Sequence, residues 1–292
     1  MIKRRFIIGP TSNFTPKVTS RIREINNNLV LRDYQTAITN IEQAEIIWKQ
    51  ILSKDVNVKD FEQQSYAESA SEEIQYFKGE AYKLSGFFDR AITTYSLFLD
   101  TFTDSKLTNY VRLGIAGCFL NKGDYRKAIS FYEAVIDSEK DEESILKSSA
   151  QLFRAVSLKR AGDVETAKKE FIHLSTDVNN PNIALVLIEL GQIYFEEGEY
   201  EKAVRILERS EREATEASSL VRTHLLLGES YFELKNWDKA IKSFTTAEQI
   251  AVKSSDFLLP QKSWYVSHSR LRRGIALVKN NRNGEAIPSL LS

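Results

Sequence analysis

The sequence repeats one pattern of two short helices, and its clearest copy runs over residues 190–210, LGQIYFEEGEYEKAVRILERS. In this copy Gly191 and Tyr194 share one helical face, and Gly198 then interrupts the apolar periodicity. Helical spacing resumes in a second segment, at Tyr200, Ala203 and Leu207. Neither segment can bury its apolar stripe alone, so the chain must stack such pairs of helices against one another.

Copies of this pattern follow one another along nearly the whole chain. The alanine of the second helix recurs at Ala91, Ala128, Ala167, Ala203 and Ala240. The next such alanine is Ala286, 46 residues after Ala240, so a longer connector precedes the last copy. The predicted copies cover approximately residues 16–52, 61–102, 107–138, 143–176, 181–215, 217–253 and 262–291.

The order of small and large residues in these copies resembles the tetratricopeptide repeat. The resemblance implies an all-α fold, a right-handed superhelical solenoid of about seven helix pairs over residues 15–292. Residues 1–14 are expected to form a separate N-terminal segment. Packing gives the pattern a physical reason, because a glycine or alanine in the first helix lets two helices approach closely.

The charge composition excludes a strong overall electrostatic field. Forty Lys plus Arg balance forty Asp plus Glu among the 292 residues, which gives a formal net charge of zero. Such a chain has no overall field to attract nucleic acid or an anionic membrane. Basic residues gather near the N-terminus and acidic residues over 189–216, and we interpret both regions as solvated helix faces.

The cysteine count and the apolar runs bear on the cellular compartment. The single cysteine, Cys118, excludes an internal disulfide framework and fits a reducing compartment. No apolar run approaches the length of a membrane span, and the opening MIKRRFIIGP has too short an apolar core for a signal peptide. We expect a cytoplasmic protein; a leader already removed would leave no trace in this sequence.

The sequence carries no recognisable catalytic, cofactor or metal motif. His173, His224 and His268 stand apart, without a partner at metal-ligand spacing. Cys118 is expected to be a small buried hydrophobe rather than a nucleophile. No phosphate loop of Walker type, GxSxG elbow or dinucleotide fingerprint occurs. We therefore predict a protein that is not an enzyme and that uses no cofactor and no metal.

The resemblance also implies where a partner binds, since tetratricopeptide stacks hold segments of other proteins on the concave surface of their first helices. Glu80, Lys159 and Glu229 are expected to orient an amphipathic partner segment, extended or helical, over a mainly apolar groove. The alternative is that these side chains only pack neighbouring helices together. The predicted partner-binding residues are Tyr76, Glu80, Leu113, Gly117, Leu152, Val156, Lys159, Ile188, Gln192, Phe195, Leu225, Glu229 and Phe232.

Several uses of such a groove can be compared. A clamp for a chaperone's C-terminal carboxylate would need lysine, asparagine and arginine at positions that hold Tyr76, Glu80, Ser149 and Phe153, so we reject it. The main hypothesis is a non-catalytic adapter or assembly scaffold. The alternatives are a sensory or regulatory peptide-binding module and an envelope-assembly protein. Residues 102–110, FTDSKLTNY, faintly resemble the turn between repeats of bacterial envelope-assembly tetratricopeptide proteins.

The last connector and the C-terminal end are apolar. Residues 254–265, SSDFLLPQKSWY, form either an internal plug or a docking surface, and we favour the plug. The large apolar residues in this connector are Phe257, Leu258, Leu259, Trp264 and Tyr265. Ile287, Leu290 and Leu291 are expected to face outward, so we expect this end to be covered by self-association, by a partner or by further residues.

Overall fold

The structure is a computed structural model that describes residues 24–25, 27–29, 31–53, 61–141, 144–177, 179–255, 257 and 259–291. The predicted N-terminal segment 1–14 lies outside the described residues. Of the helix expected to follow it, only residues 24–25 and 27–29 are described. All regular structure in the described residues is helical, and they contain no strand. The predicted all-α fold of paired helices is confirmed.

Contacts between helices divide the chain into two units, residues 1–139 and 140–292. In the first unit consecutive helices pack on one another, and α2 also contacts α4. The helices of this unit are α1 (Tyr34–Ser53), α2 (Phe61–Leu84), α3 (Phe88–Thr101), α4 (Thr108–Lys122) and α5 (Tyr125–Ser138). A single continuous solenoid over residues 15–292 stays a prediction.

The second unit repeats the same pairing of helices. Its helices are α6 (Ile145–Arg160), α7 (Val164–Thr176), α8 (Ile183–Glu196), α9 (Tyr200–Glu213), α10 (Ala217–Glu233), α11 (Trp237–Lys253), α12 (Leu259–Lys279) and α13 (Asn283–Leu291). We call α6, α8, α10 and α12 the first helices of their pairs, and α7, α9, α11 and α13 the second helices. Adjacent first helices also touch, α8 with α10 and α10 with α12.

Small residues set the distance between the helices of a pair. The alanine of every second helix from Ala91 to Ala286 is buried, as the pattern predicts. Gly191 of α8 lies against Leu207 of α9, where an added Cβ would stand 2.7 Å from Leu207 Cδ2. A larger residue at either position would force the two helices apart.

The turn inside each pair depends on one residue in the left-handed backbone region. Gly86, Gly123, Gly162 and Gly198 hold this place, with φ between 76° and 95°. In the last two pairs Lys235 and Asn281 hold it instead, each with φ 58°. In several pairs the following residue caps the second helix; for example, Asp163 Oδ1 accepts a hydrogen bond from the Thr166 amide at 3.2 Å.

The apolar connector before α12 is only partly a plug. Phe257 and Tyr265 are buried in the core of the second unit, with their ring centroids 5.1 Å apart. Trp264, the next residue along, is exposed. Leu258 and the side chain of Leu259 lie outside the described residues. The last first helix begins at Leu259, three residues before the predicted start of the copy.

Candidate partner-binding surface

The predicted partner-binding residues differ in how much surface they offer. Tyr76, Leu152, Val156, Ile188 and Leu225 are buried. Side chains buried to that degree contribute to packing and give a ligand almost nothing to touch. The half-exposed members are Glu80, Leu113, Gly117, Lys159, Gln192, Phe195, Glu229 and Phe232.

Two of the predicted positions in the first unit can be described by their contacts. Glu80 Oε1 accepts hydrogen bonds from the Tyr95 hydroxyl at 2.5 Å and from Lys83 Nζ at 2.6 Å. This carboxylate is therefore committed to internal partners. A Cβ added at Gly117 would meet no atom within 4 Å, so there is open space beside it.

Half-exposed aromatic side chains mark the first helices of the second unit. Phe195 of α8 packs on Tyr200 of α9, with ring centroids 5.5 Å apart. Phe232, at the equivalent position of α10, packs on Trp237 of α11 at 5.0 Å. Both rings also pack against the core of the second unit, so each is held in place and only partly exposed.

An ion-pair chain links three successive first helices. Lys159 of α6 pairs with Glu189 of α8 through Oε2, and Arg222 of α10 donates to Glu189 Oε1 at 2.7 Å. Burial by itself raises the pKa of Glu189, but the charges of Lys159 and Arg222 outweigh it and hold that pKa below its usual value. The carboxylate therefore stays ionised between its two cations.

A second ion pair joins α10 to α12. Arg272 Nε donates to Glu229 Oε1 at 2.6 Å, and Arg272 Nη2 pairs with Glu229 Oε2. The Arg272 guanidinium also lies over the Phe232 ring, 4.4 Å from its centroid. His268 Nε2 is 3.7 Å from Glu229 Oε1. Glu80, Lys159 and Glu229 are the charges expected to orient a partner, and all three are paired with residues of the chain itself.

The structure adds exposed residues that the site prediction leaves out. Leu271 of α12 lies at the position equivalent to Leu225, and Val278 at the position equivalent to Phe232, and both are exposed. The repeat register therefore contained the signal for both of these residues. We call the surface formed by Gln192, Phe195, Glu229, Phe232, Leu271 and Val278 the first-helix face.

The described residues hold no group of three or more His, Cys, Asp or Glu side chains that could bind a metal ion. Cys118 is buried, and this burial raises the pKa of its thiol to about 11, which is unfavourable for a nucleophile. None of the described helices is long and apolar enough to cross a membrane. What the first-helix face offers is a contact surface of fixed aromatic, aliphatic and paired charged groups.

Family models match two parts of the chain. Residues 112–146 match the model described as tetratricopeptide repeat. Residues 167–247 match the model described as anaphase-promoting complex, cyclosome, subunit 3, which is also of tetratricopeptide type. No curated protein sequence matches the chain.

Solved structures show the same fold at low sequence identity. The apo form of RapI is 14% identical with a TM-score of 0.63, over 93% of this chain and 74% of that chain. The apo form of the quorum sensor NprR from B. thuringiensis is 13% identical with a TM-score of 0.58, over 93% and 96%. PilF from Pseudomonas aeruginosa is 13% identical with a TM-score of 0.56, over 81% and 93%.

Proposed function

We propose that this tetratricopeptide repeat protein is a non-catalytic adapter or scaffold that binds a segment of another protein on its first-helix face. The carrying observation is the pair Phe195 and Phe232, which recur at one position of successive first helices and are only half-buried. Aromatic side chains that are rigid and partly exposed are typical of binding hot spots.

The charges of the face support recognition of a mainly apolar segment. Glu229 of the face, and Glu189 of the same first helix as Gln192, are both paired with cations of neighbouring helices, so these charges have fixed positions. A partner that lies on such a surface gains by covering apolar area and avoids the cost of stripping water from isolated charges. Gln192, whose side chain donates to Glu196 at 2.7 Å, provides a neutral polar group three residues before Phe195 on α8.

A sensory or regulatory peptide-binding module is the alternative. NprR, which shares the fold, is described as a quorum sensor, and that likeness concerns the fold alone. A sensor would bind a short free peptide as tightly as a whole protein, whereas an adapter requires a folded or extended partner protein. Isothermal titration calorimetry with peptides cut from an identified partner separates the two hypotheses. Titration with an intact envelope protein tests the envelope-assembly form of the scaffold in the same way.

The proposal is tested by substituting the two rings. Phe195→Ser with Phe232→Ser is expected to abolish capture of the partner from native cell lysate, as measured by cross-linking and mass spectrometry. Gln192→Arg changes the face without removing a packed ring, and it is expected to weaken the same capture. Ile172→Ser, at an exposed position of the second helix α7, is the matched control and should keep it.

The melting temperature distinguishes a lost surface from a lost fold. If the ring variants melt much lower yet still capture the partner on the protein that remains folded, Phe195 and Phe232 are core residues and the proposal is wrong. If Gln192→Arg and Ile172→Ser behave alike, the partner binds elsewhere.

A further inference from the structure

Equivalent leucine and isoleucine positions on the first helices are covered, except on α12. Ile188 on α8 is 0% exposed and Leu225 on α10 is 8% exposed, because α10 packs beside α8 and α12 packs beside α10. Leu271, at the same position of α12, is 51% exposed. Among the described residues no further first helix lies beside α12, so its side chain remains open to solvent.

The open side of α12 is a regular stripe rather than a scattered set of apolar residues. Trp264, Leu271 and Val278 follow one another at intervals of seven and are 56%, 51% and 47% exposed. His268 and the half-exposed Ile275 lie between them, so the spacing alternates between four and three residues. This is the spacing by which one helix packs along another, and it spans about 21 Å at about 1.5 Å per residue.

The stripe itself is free of charge, although α12 is basic. The helix carries five cations and no acidic residue, and the cations are Lys262, Arg270, Arg272, Arg273 and Lys279. Arg270 and Arg273 pair with Glu248 of α11, which directs them away from the stripe. Lys279 is exposed and follows Val278 directly at the end of the stripe.

Opposite charges face each other between neighbouring first helices. Glu189 of α8 pairs with a cation on each side, Lys159 of α6 and Arg222 of α10. Arg272 of α12 pairs with Glu229 of α10, on one side only in the described structure. Continuing this order, a helix laid beside α12 would place an acidic residue next to Arg272 and Lys279.

We propose that the stripe of Trp264, Leu271 and Val278 is the docking site for an amphipathic helix of the partner protein, with acidic residues along its apolar seam. The inference rests on the proposed function and assigns the chemistry of the partner segment. The bound helix would lie beside α12 in the way that α12 lies beside α10. Two copies of α12 are a poor match for each other, because α12 carries no acidic residue that could pair with Arg272 or Lys279 of the other copy.

The test uses two synthetic peptides of about three heptads with the same leucine seam, one with glutamates and the other with lysines at the flanking positions. Fluorescence anisotropy with the full chain is expected to show the acidic peptide binding at least about tenfold more tightly than the basic one. Leu271→Ser and Val278→Ser should each reduce the affinity by about tenfold, while Ile172→Ser should leave it unchanged. Because Leu271 and Val278 are exposed, both variants should keep the melting temperature of the original chain.

Equal binding of the two peptides, or acidic-peptide binding that Leu271→Ser leaves unchanged, would overturn the inference. A dimer in light scattering that Leu271→Ser dissociates would overturn it as well, since a second copy would then cover the stripe. A native partner lost with Phe195→Ser and Phe232→Ser but kept with Leu271→Ser would contradict this inference and leave the proposed function standing. If the acidic peptide bound specifically to the stripe but no native partner were captured, the proposed function would be contradicted and this inference would stand.

Discussion

Gly228 of α10 lies against the ring of Phe244 of α11, so closely that a Cβ added at Gly228 would stand 2.5 Å from Phe244 Cε1. Other pairs repeat the relationship, Gly79 with Tyr95 and Gly274 with Leu290. A glycine in one helix thus receives a large side chain of the next. The closeness of the two helices in a pair depends on the missing side chain.

Gly228→Ala is expected to destabilise the second unit by about 1–3 kcal/mol, because the methyl group would overlap the buried Phe244 ring. Urea unfolding followed by circular dichroism measures the change. Gly117→Ala is the control with the opposite sign, since an added Cβ meets nothing within 4 Å and alanine favours the helix by about 0.5–1 kcal/mol. If Gly228→Ala stabilised the chain as Gly117→Ala does, close packing would not explain the glycines.

Lys235→Gly is expected to stabilise the turn between α10 and α11. Lys235 has φ 58°, a backbone conformation that costs an L-residue about 1–2 kcal/mol and costs glycine little. Gly198→Ala, at the equivalent turn between α8 and α9, should destabilise by a similar amount. Thermal melts of the two variants check the prediction, which is wrong if both shift the melting temperature in the same direction.

The sequence predicts the repeat register well because the register depends on local spacing. Ala203 and Gly191, chosen from the pattern alone, lie in the close contact where the repeat places them. It could not tell whether Ile188 is core or surface. An apolar residue on a first helix can be either buried or exposed, and its burial depends on whether another helix covers it.

Long-range pairs were also beyond the sequence pattern. Glu189 pairs with Lys159 and Arg222, which lie 30 and 33 residues away along the chain. No local periodicity identifies such partners, because a charged residue in a long-range ion pair and one on a solvated helix face have the same sequence pattern. Tyr265 is buried and its sequence neighbour Trp264 is exposed, because adjacent residues lie on different sides of a helix.

Glu189→Gln is expected to destabilise the second unit by about 1–3 kcal/mol at pH 7, because it leaves Lys159 and Arg222 without their shared carboxylate. The pKa of Glu189 is lowered on folding, so its contribution is present above the unfolded value of about 4.3 and is lost as the pH falls through the folded value. The difference between the two proteins should therefore shrink in acid. Urea unfolding at pH 7 and about pH 3 measures it; an equal difference at both would contradict the role of the ionised carboxylate.

His224 is expected to make the second unit less stable in mild acid. It is buried, and its Nδ1 has no hydrogen-bond partner among the described residues. Burial lowers the pKa of His224, opposed by Glu211 and assisted by Lys242. The unfolded chain therefore binds the proton first, so stability falls as the pH drops below about 6.5 and levels off below the folded value.

His224→Leu should flatten that pH dependence between about pH 7 and pH 5, whereas His173→Gln, at an exposed position of α7, should preserve it. Thermal melting across this range provides the measurement. A slope that His224→Leu leaves unchanged would assign the acid sensitivity to other groups.

The central claim, that a partner protein lies on the first-helix face, is tested most directly by photo-cross-linking. A photoreactive residue is placed at Gln192 on the face, and separately at Arg205, an exposed position of the second helix α9. Irradiation in native cells is expected to join one partner protein to the chain from position 192 and none from position 205. Equal cross-linking from the two positions, or a partner joined only from 205, would contradict the account.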